Sequence, residues 1–144
     1  MAHSCVQNYL HIIFATKDRS SPIPLAIETR LHQYMCGISR ERKSPVLQIN
    51  GTDDHIHILL NLHPAVALST LVKEVKSYST SWIKKEGFGN FSWQEGYGGF
   101  SSSKSHVEQI RRYIENQKEH HKFKSFNNEI EQLNRQWGTT WMQE

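Results

Sequence analysis

Cysteine is scarce in this sequence, with Cys5 and Cys36 the two present. Two thiols so far apart provide neither a disulfide framework nor the close spacing of a zinc knuckle. Long hydrophobic runs are missing as well. No stretch approaches the ~20 apolar residues that a bilayer-spanning helix needs, so no membrane association is expected. Met1 to Val6 lacks a charged segment leading into a long apolar run, and no secretory signal is expected. An intracellular, reducing setting follows from these absences. Repeats, low-complexity tracts and long linkers are absent too. The 144 residues are enough for one compact domain with a core. The reading is a single domain over residues 1–144, with a tail from about residue 138. The excess of positive charge is small, a formal +3, which fits a polyanionic partner but also many enzymes of small anions.

Histidine is the residue present in excess, with nine copies. Its positions matter only once they are placed on elements. Val6 to Thr16 is rich in aromatic and β-branched residues and predicts a strand. The polar stretch Lys17-Asp18-Arg19-Ser20-Ser21-Pro22 breaks it. Ile27, Leu31, Tyr34, Met35 and Ile38 form one apolar stripe of a helix. Pro45 to Ile49 predicts a short strand, Asn50-Gly51-Thr52-Asp53 a hairpin turn, and Asp54 to Leu60 a third strand. A second helix runs from Leu68 to Lys85, with Leu68, Leu71, Val72, Val75 and Trp82 inward and Lys73, Lys76, Lys84 and Lys85 outward. Tyr97 to Ser101 is a fourth strand. A third helix opens at Ser103 to Ser105 and carries Val107, Ile110 and Ile114. Phe126, Ile130, Leu133 and Trp137 mark a last one. The order β-α-β-β-α-β predicts an α+β fold of the ferredoxin-like plan, an antiparallel sheet with two helices on one face. The other face is left for a site, and the plan itself does not decide what that site does.

Residues two apart on a strand point to one face, so His55 and His57 project together while Ile56 and Ile58 point to the core. Two neighbouring imidazoles can ligate one metal ion. A pair of half-exposed histidines with no ligand is the plain alternative. Tyr113 and Gln117, four apart on the third helix, share a face with Ile110 and His106. If that helix packs on the open sheet face, Gln117 supplies an oxygen ligand. A mixed nitrogen and oxygen site suits Mn²⁺ or Mg²⁺ at a phosphate better than a thiolate site would. Tyr113 then lies one turn away. Neutral tyrosine, with a reference pKa of about 10, is a poor nucleophile, and a divalent ion on the phosphate compensates for that. Attack by the phenol gives a covalent phosphotyrosine that conserves the bond for rejoining. Taken alone, Tyr113 reads as an amphipathic helix residue with its ring in the core, and the spacing to Gln117 means something only together with His55 and His57.

The chain resembles the single-tyrosine transposases of the HUH endonuclease superfamily, small enzymes that move simple insertion sequences. The resemblance runs through Tyr9-Leu10-His11-Ile12-Ile13-Phe14-Ala15-Thr16-Lys17, Asp54-His55-Ile56-His57-Ile58-Leu59, and Lys73, Lys76 and Ser77. It continues through Trp93, Gly96-Tyr97 and Phe100-Ser101 to Tyr113 and Gln117. It implies that His55, His57 and Gln117 are ligands of Mg²⁺ or Mn²⁺, and that Tyr113 forms a 5′-phosphotyrosine link. It also implies single-stranded DNA with hairpins at element ends as the substrate. A homodimer in which sites can be shared between subunits is implied too, working in the cytoplasm of a prokaryotic cell at the nucleoid. One branch of such proteins is domesticated and processes repeated palindromes, and that alternative stays open.

Lys17, Lys73 and Lys76, with Arg111 and Arg112 beside Tyr113, are candidate DNA contacts, because cations on a shared face suit phosphates. A solvated helix face explains them as well. Trp93 and Tyr97 are candidates to stack on unpaired bases or to pack in the core. Two other classes remain. An RNA-binding module of this fold would place aromatics on its central strands, where this sequence has histidines. A zinc hydrolase would not need Tyr113.

Overall fold

The computed structural model describes residues 4–17 and 21–143. Of the expected break after the first strand, Asp18, Arg19 and Ser20 lie outside the described residues. The strands are β1 (Tyr9–Ala15), β2 (Val46–Gly51), β3 (His55–Asn61) and β4 (Gly98–Ser102), and the main helices before β4 are α1 (Glu28–Glu41) and α2 (Leu68–Lys85). The four strands form one sheet in the order β2-β3-β1-β4, antiparallel at every pairing. This is the expected ferredoxin-like plan.

The two central strands are buried on both faces. On one face Ile12, Phe14, Ile56, Ile58 and Leu60 pack with Leu31 and Met35 of α1 and with Leu71, Val72, Val75 and Ile83 of α2. This is the main core. Each such side chain, fully buried, contributes on the order of 1.5–3 kcal/mol of transfer free energy. Trp93 belongs to this core, where its indole Nε1 donates to Ser79 Oγ at 3.0 Å. It is therefore a packing residue and not an exposed stacking platform.

The second face carries His11, Ile13 and Ala15 from β1 and His55, His57 and Leu59 from β3. The register sets Ile13 opposite His57 and Ala15 opposite His55. Three further helices cover this face: α3 (Val107–Glu115), α4 (Gln117–His120) and α5 (Phe126–Trp137). The third helix departs from expectation. It breaks at Asn116, whose backbone takes φ −94° and ψ 16°, and Gln117 opens the short α4. Tyr113 and Gln117 thus stand on either side of a break instead of on one continuous helix. The fourth strand begins one residue later than Tyr97, and the first strand begins at Tyr9 instead of Val6.

Ser125 caps α5 by accepting from the Asn128 backbone N–H, and Gly138 ends it in the left-handed region at φ 66°. That positive φ suits glycine because no Cβ is present to clash. Past Gly138 the chain turns back on the helix. Asn134 Oδ1 accepts from the Trp141 N–H at 3.0 Å and its Nδ2 donates to the Trp141 carbonyl at 2.8 Å. Trp141 then packs beside Phe100 of β4.

Candidate active site

Alternation on β3 sends Ile56 and Ile58 to the main core and turns His55 and His57 to the second face, where both are completely buried. Burial of two imidazoles requires partners for four ring nitrogens. His55 Nδ1 lies 2.6 Å from Asp54 Oδ1 and 2.9 Å from Thr52 Oγ1. Its Nε2 lies 3.1 Å from Gln117 Oε1. His57 Nδ1 meets His11 Nε2 at 2.8 Å across the strands, and His57 Nε2 lies 3.1 Å from Glu129 Oε1. The Phe126 ring stacks on the other side of His55, with centroids 4.1 Å apart.

Glu129, on α5, ties the site together. Its carboxylate is buried and receives the Tyr113 hydroxyl on Oε2. Gln117 Nε2 also donates to Oε2, at 3.0 Å, while His121 Nε2 lies 3.1 Å from Oε1. The structure therefore brings Tyr113, His55, His57 and Gln117 together within one chain, and adds Glu129, His121 and His11. Sequence reasoning missed these three. One signal for Glu129 was present: it lies inside the apolar stripe of Phe126, Ile130 and Leu133, where a charge has no place on a purely structural helix. His11 is visible only once β1 is paired with β3.

Electrostatics follow from this packing. Burial pushes the His11 imidazole down to about 3, assisted by its neighbour His57. Burial likewise pushes His57 down to about 4, against the opposing pull of Glu129. Burial by itself would raise the Glu129 carboxyl, but bonds from His57, Tyr113 and Gln117 outweigh it and hold the group well below the usual carboxylate range. Burial and the adjacent Glu129 raise the Tyr113 phenol above its ordinary value. At neutral pH the site thus holds a carboxylate, neutral His11 and His57, and a neutral phenol.

The donor set fits a divalent cation. His55 Nε2 and Gln117 Oε1 lie 3.1 Å apart in the buried interior. The Gln117 amide cannot turn away without losing its bond to Glu129. Nitrogen and oxygen donors that converge in a buried site suit a divalent cation. Ligand atoms of His55, His121 and Glu129 all lie within 4.8 Å of one another.

Beside Tyr113 a cleft of about 510 Å³ opens between β4 and α5, lined in part by His11, Phe100, His106, Gln109, Gln132 and Trp137. The basic candidates differ in what they do. Lys73 and Arg112 are exposed. Arg111 pairs with Glu108 at 2.7 Å and with Glu115 at 3.5 Å. Lys76 turns inward, donating to the Gln94 carbonyl at 2.7 Å and to that of Gly96. Lys17 is exposed and its backbone N–H donates to the Ser92 carbonyl at 3.0 Å. Tyr97 packs partly buried against the main core.

The family described as IS200-like transposase matches residues 4–117, a span that contains His55, His57, Tyr113 and Gln117. The chain belongs to this family. Membership makes it a transposase, an enzyme that cuts DNA. The ISDra2 transposase TnpA of Deinococcus radiodurans is 25% identical over 114 residues, covering 74% of this chain and 81% of that protein. Among solved structures, one described as a transposase from Deinococcus radiodurans R1 is similar at TM-score 0.64 and 23% identity, covering 81% of this chain and 96% of that one. A REP-associated tyrosine transposase bound to a REP hairpin is similar at TM-score 0.64 and 15% identity, covering 84% of this chain and 73% of that one. These two structures share the fold. Glu129 and α5 lie beyond the matched span. Among the described residues, no helix is long and apolar enough to cross a membrane.

Proposed function

We propose that this transposase cuts and rejoins single-stranded DNA through a covalent 5′-phosphotyrosine on Tyr113, with Mg²⁺ or Mn²⁺ held by His55, His57 and Gln117. The observation that carries the reading is the Tyr113 hydroxyl bonded into the same buried cluster as both histidines and Gln117, through Glu129. A cation bound there supplies charge stabilisation at the scissile phosphate. The chain's own residues do the rest. The Tyr113 oxygen forms a bond to phosphorus and the bond from phosphorus to the 3′ oxygen breaks. The phenol proton passes to Glu129 Oε2, its present acceptor, and the departing 3′ oxygen takes a proton from water. Rejoining reverses these steps with a 3′ hydroxyl as the attacking group.

The cleft between β4 and α5 gives a strand access to Tyr113, and its polar wall of Gln109, Gln132 and His106 suits base edges or phosphates. Lys73 and Arg112 are the exposed cations for backbone contact, with Lys17, Lys76 and Arg111 in lesser roles because of the partners or backbone ties described above. The relative of shared fold that is bound to a REP hairpin supports hairpin DNA as the substrate, whether at element ends or in dispersed palindromes. A single domain acting in the prokaryotic cytoplasm, as a homodimer on DNA, completes the reading.

The test is incubation with labelled single-stranded hairpin DNA and Mg²⁺ or Mn²⁺. Wild type forms a covalent protein–DNA adduct that survives denaturation, and Tyr113→Phe forms none. Cleavage that persists in Tyr113→Phe sinks the tyrosine mechanism.

A further inference from the structure

We propose that Glu129 and His121, both C-terminal to the stretch this chain shares with its family, are direct ligands of the cation, so that α5 completes the metal site. The inference rests on the metal-dependent reading above and deepens it.

Glu129 Oε1 lies 3.1 Å from His57 Nε2, 3.1 Å from His121 Nε2 and 3.5 Å from His55 Nε2. Ligand atoms about 2.1 Å from one divalent ion, at angles of about 90–110°, are separated by roughly 3.0–3.5 Å from each other. The three separations to Oε1 match that spacing. Oε2 faces the other way, toward Gln117 and the Tyr113 hydroxyl. One oxygen is therefore turned to the imidazoles and the other to the nucleophile, and Glu129 joins the cation to the phenol through a single rigid group. With the ion at the imidazole Nε2 atoms, the Nδ1 protons keep their acceptors: Asp54 for His55, and His11 Nε2 for His57. Such outer hydrogen bonds orient ligating histidines.

A purely structural role for Glu129 is the competing account, since four groups bond to its carboxylate. That account leaves unexplained why three imidazole nitrogens converge on one carboxylate oxygen. The two accounts also differ in metal preference. Imidazoles with one carboxylate favour a first-row transition ion such as Mn²⁺ over Mg²⁺, which prefers oxygen ligands.

The experiment is titration of the full chain, freed of metal by chelation, with Mn²⁺, following loss of the free-ion electron paramagnetic resonance signal. Wild type binds one Mn²⁺, and Mg²⁺ displaces it poorly. Glu129→Gln, which keeps the shape and removes the charge, weakens binding at least about tenfold, as does His121→Ala. Thermal melts of the metal-free proteins establish that each variant is folded. His121 sits at the partly open edge of the site and serves as the second variant should Glu129→Gln not fold. Affinity unchanged in Glu129→Gln, or in His121→Ala where that alone is folded, overturns the proposal, and so does a wild type that binds no Mn²⁺. An adduct formed by wild type with Mn²⁺ affinity indifferent to both variants leaves the tyrosine mechanism standing and removes this inference alone. Affinity lost in both variants without any adduct in wild type does the reverse.

Discussion

Replacing Phe126 with alanine tests how α5 is held over the site. Phe126 is the first residue of α5, is 3% exposed, and packs with Ile13, Ala15, Phe100 and Ile130 while its ring covers His55. Truncating a buried phenylalanine costs about 3–5 kcal/mol, and the lower figure applies at a helix end that can partly collapse. The main core lies on the opposite face of the sheet and shares no side chain with this cluster. The loss of about 3 kcal/mol therefore falls on the docking of α5 rather than on the whole fold. At 1.4 kcal/mol per tenfold, opening of α5 becomes more frequent by roughly a hundredfold or more. Native-state hydrogen exchange reads this directly. Amides of α5 in Phe126→Ala exchange about a hundredfold faster, while those of β1 and β3 change far less. Two results refute the reasoning: α5 amides within about threefold of wild type, or an equal acceleration across α5, β1 and β3. The first means that Phe126 is not the anchor, and the second that α5 has no opening of its own.

Two further perturbations act elsewhere. A Cβ on Gly51 runs into the backbone carbonyl oxygen of His55, and a backbone neighbour cannot rotate away. Gly51→Ala is expected to cost about 1–3 kcal/mol in urea unfolding and to weaken metal binding by displacing His55; full stability and full affinity together contradict it. His32 Nε2 is buried without a hydrogen-bond partner among the described residues, and burial pushes this imidazole down to about 4 from its usual 6.5. A lowered folded value means that the unfolded chain takes the proton first, so the contribution is complete above pH 6.5 and is lost as pH falls toward 4. The full shift corresponds to about 3 kcal/mol, and to about half that for a ring with some solvent access. His32→Gln should flatten the urea midpoint between pH 6.5 and 4 relative to wild type; an unaltered slope rules this group out.

Much of the fold was legible because its elements obey simple periods. The apolar stripe of α2 marked Leu68 to Lys85, the bounds observed, and the alternation of β3 set His55 and His57 apart from Ile56 and Ile58. Spacing likewise placed Tyr113 and Gln117 near one another. The break between them was not read, since neither proline nor glycine marks it and Asn116, which favours caps and turns, is a weaker signal. Glu129 is the more instructive omission. It meets His57 across 72 positions of sequence, and no local pattern encodes a contact of that range. What local pattern could show was an acid on an apolar stripe, a conflict between burial and charge. Such conflicts concentrate at functional sites, where rules of packing yield to chemistry.

The two faces of the sheet divide the work of the protein. One face buries mainly apolar side chains against α1 and α2, and it carries the stability from which the other face can draw. The second face buries His11, His55, His57, Gln117 and Glu129, each at a desolvation cost that only well-matched partners offset. Nothing about the stability of the sheet calls for these groups, because leucine or phenylalanine in their places would pack at lower cost. Their joint burial is explained by what they hold in place: a phenol turned toward a carboxylate, and imidazole nitrogens turned toward the same carboxylate. Since α5 supplies that carboxylate and is anchored separately by Phe126 and Ile130, chemistry and stability are separable in this chain. Variants of α5 should therefore lose the metal and the adduct while β1 and β3 remain folded.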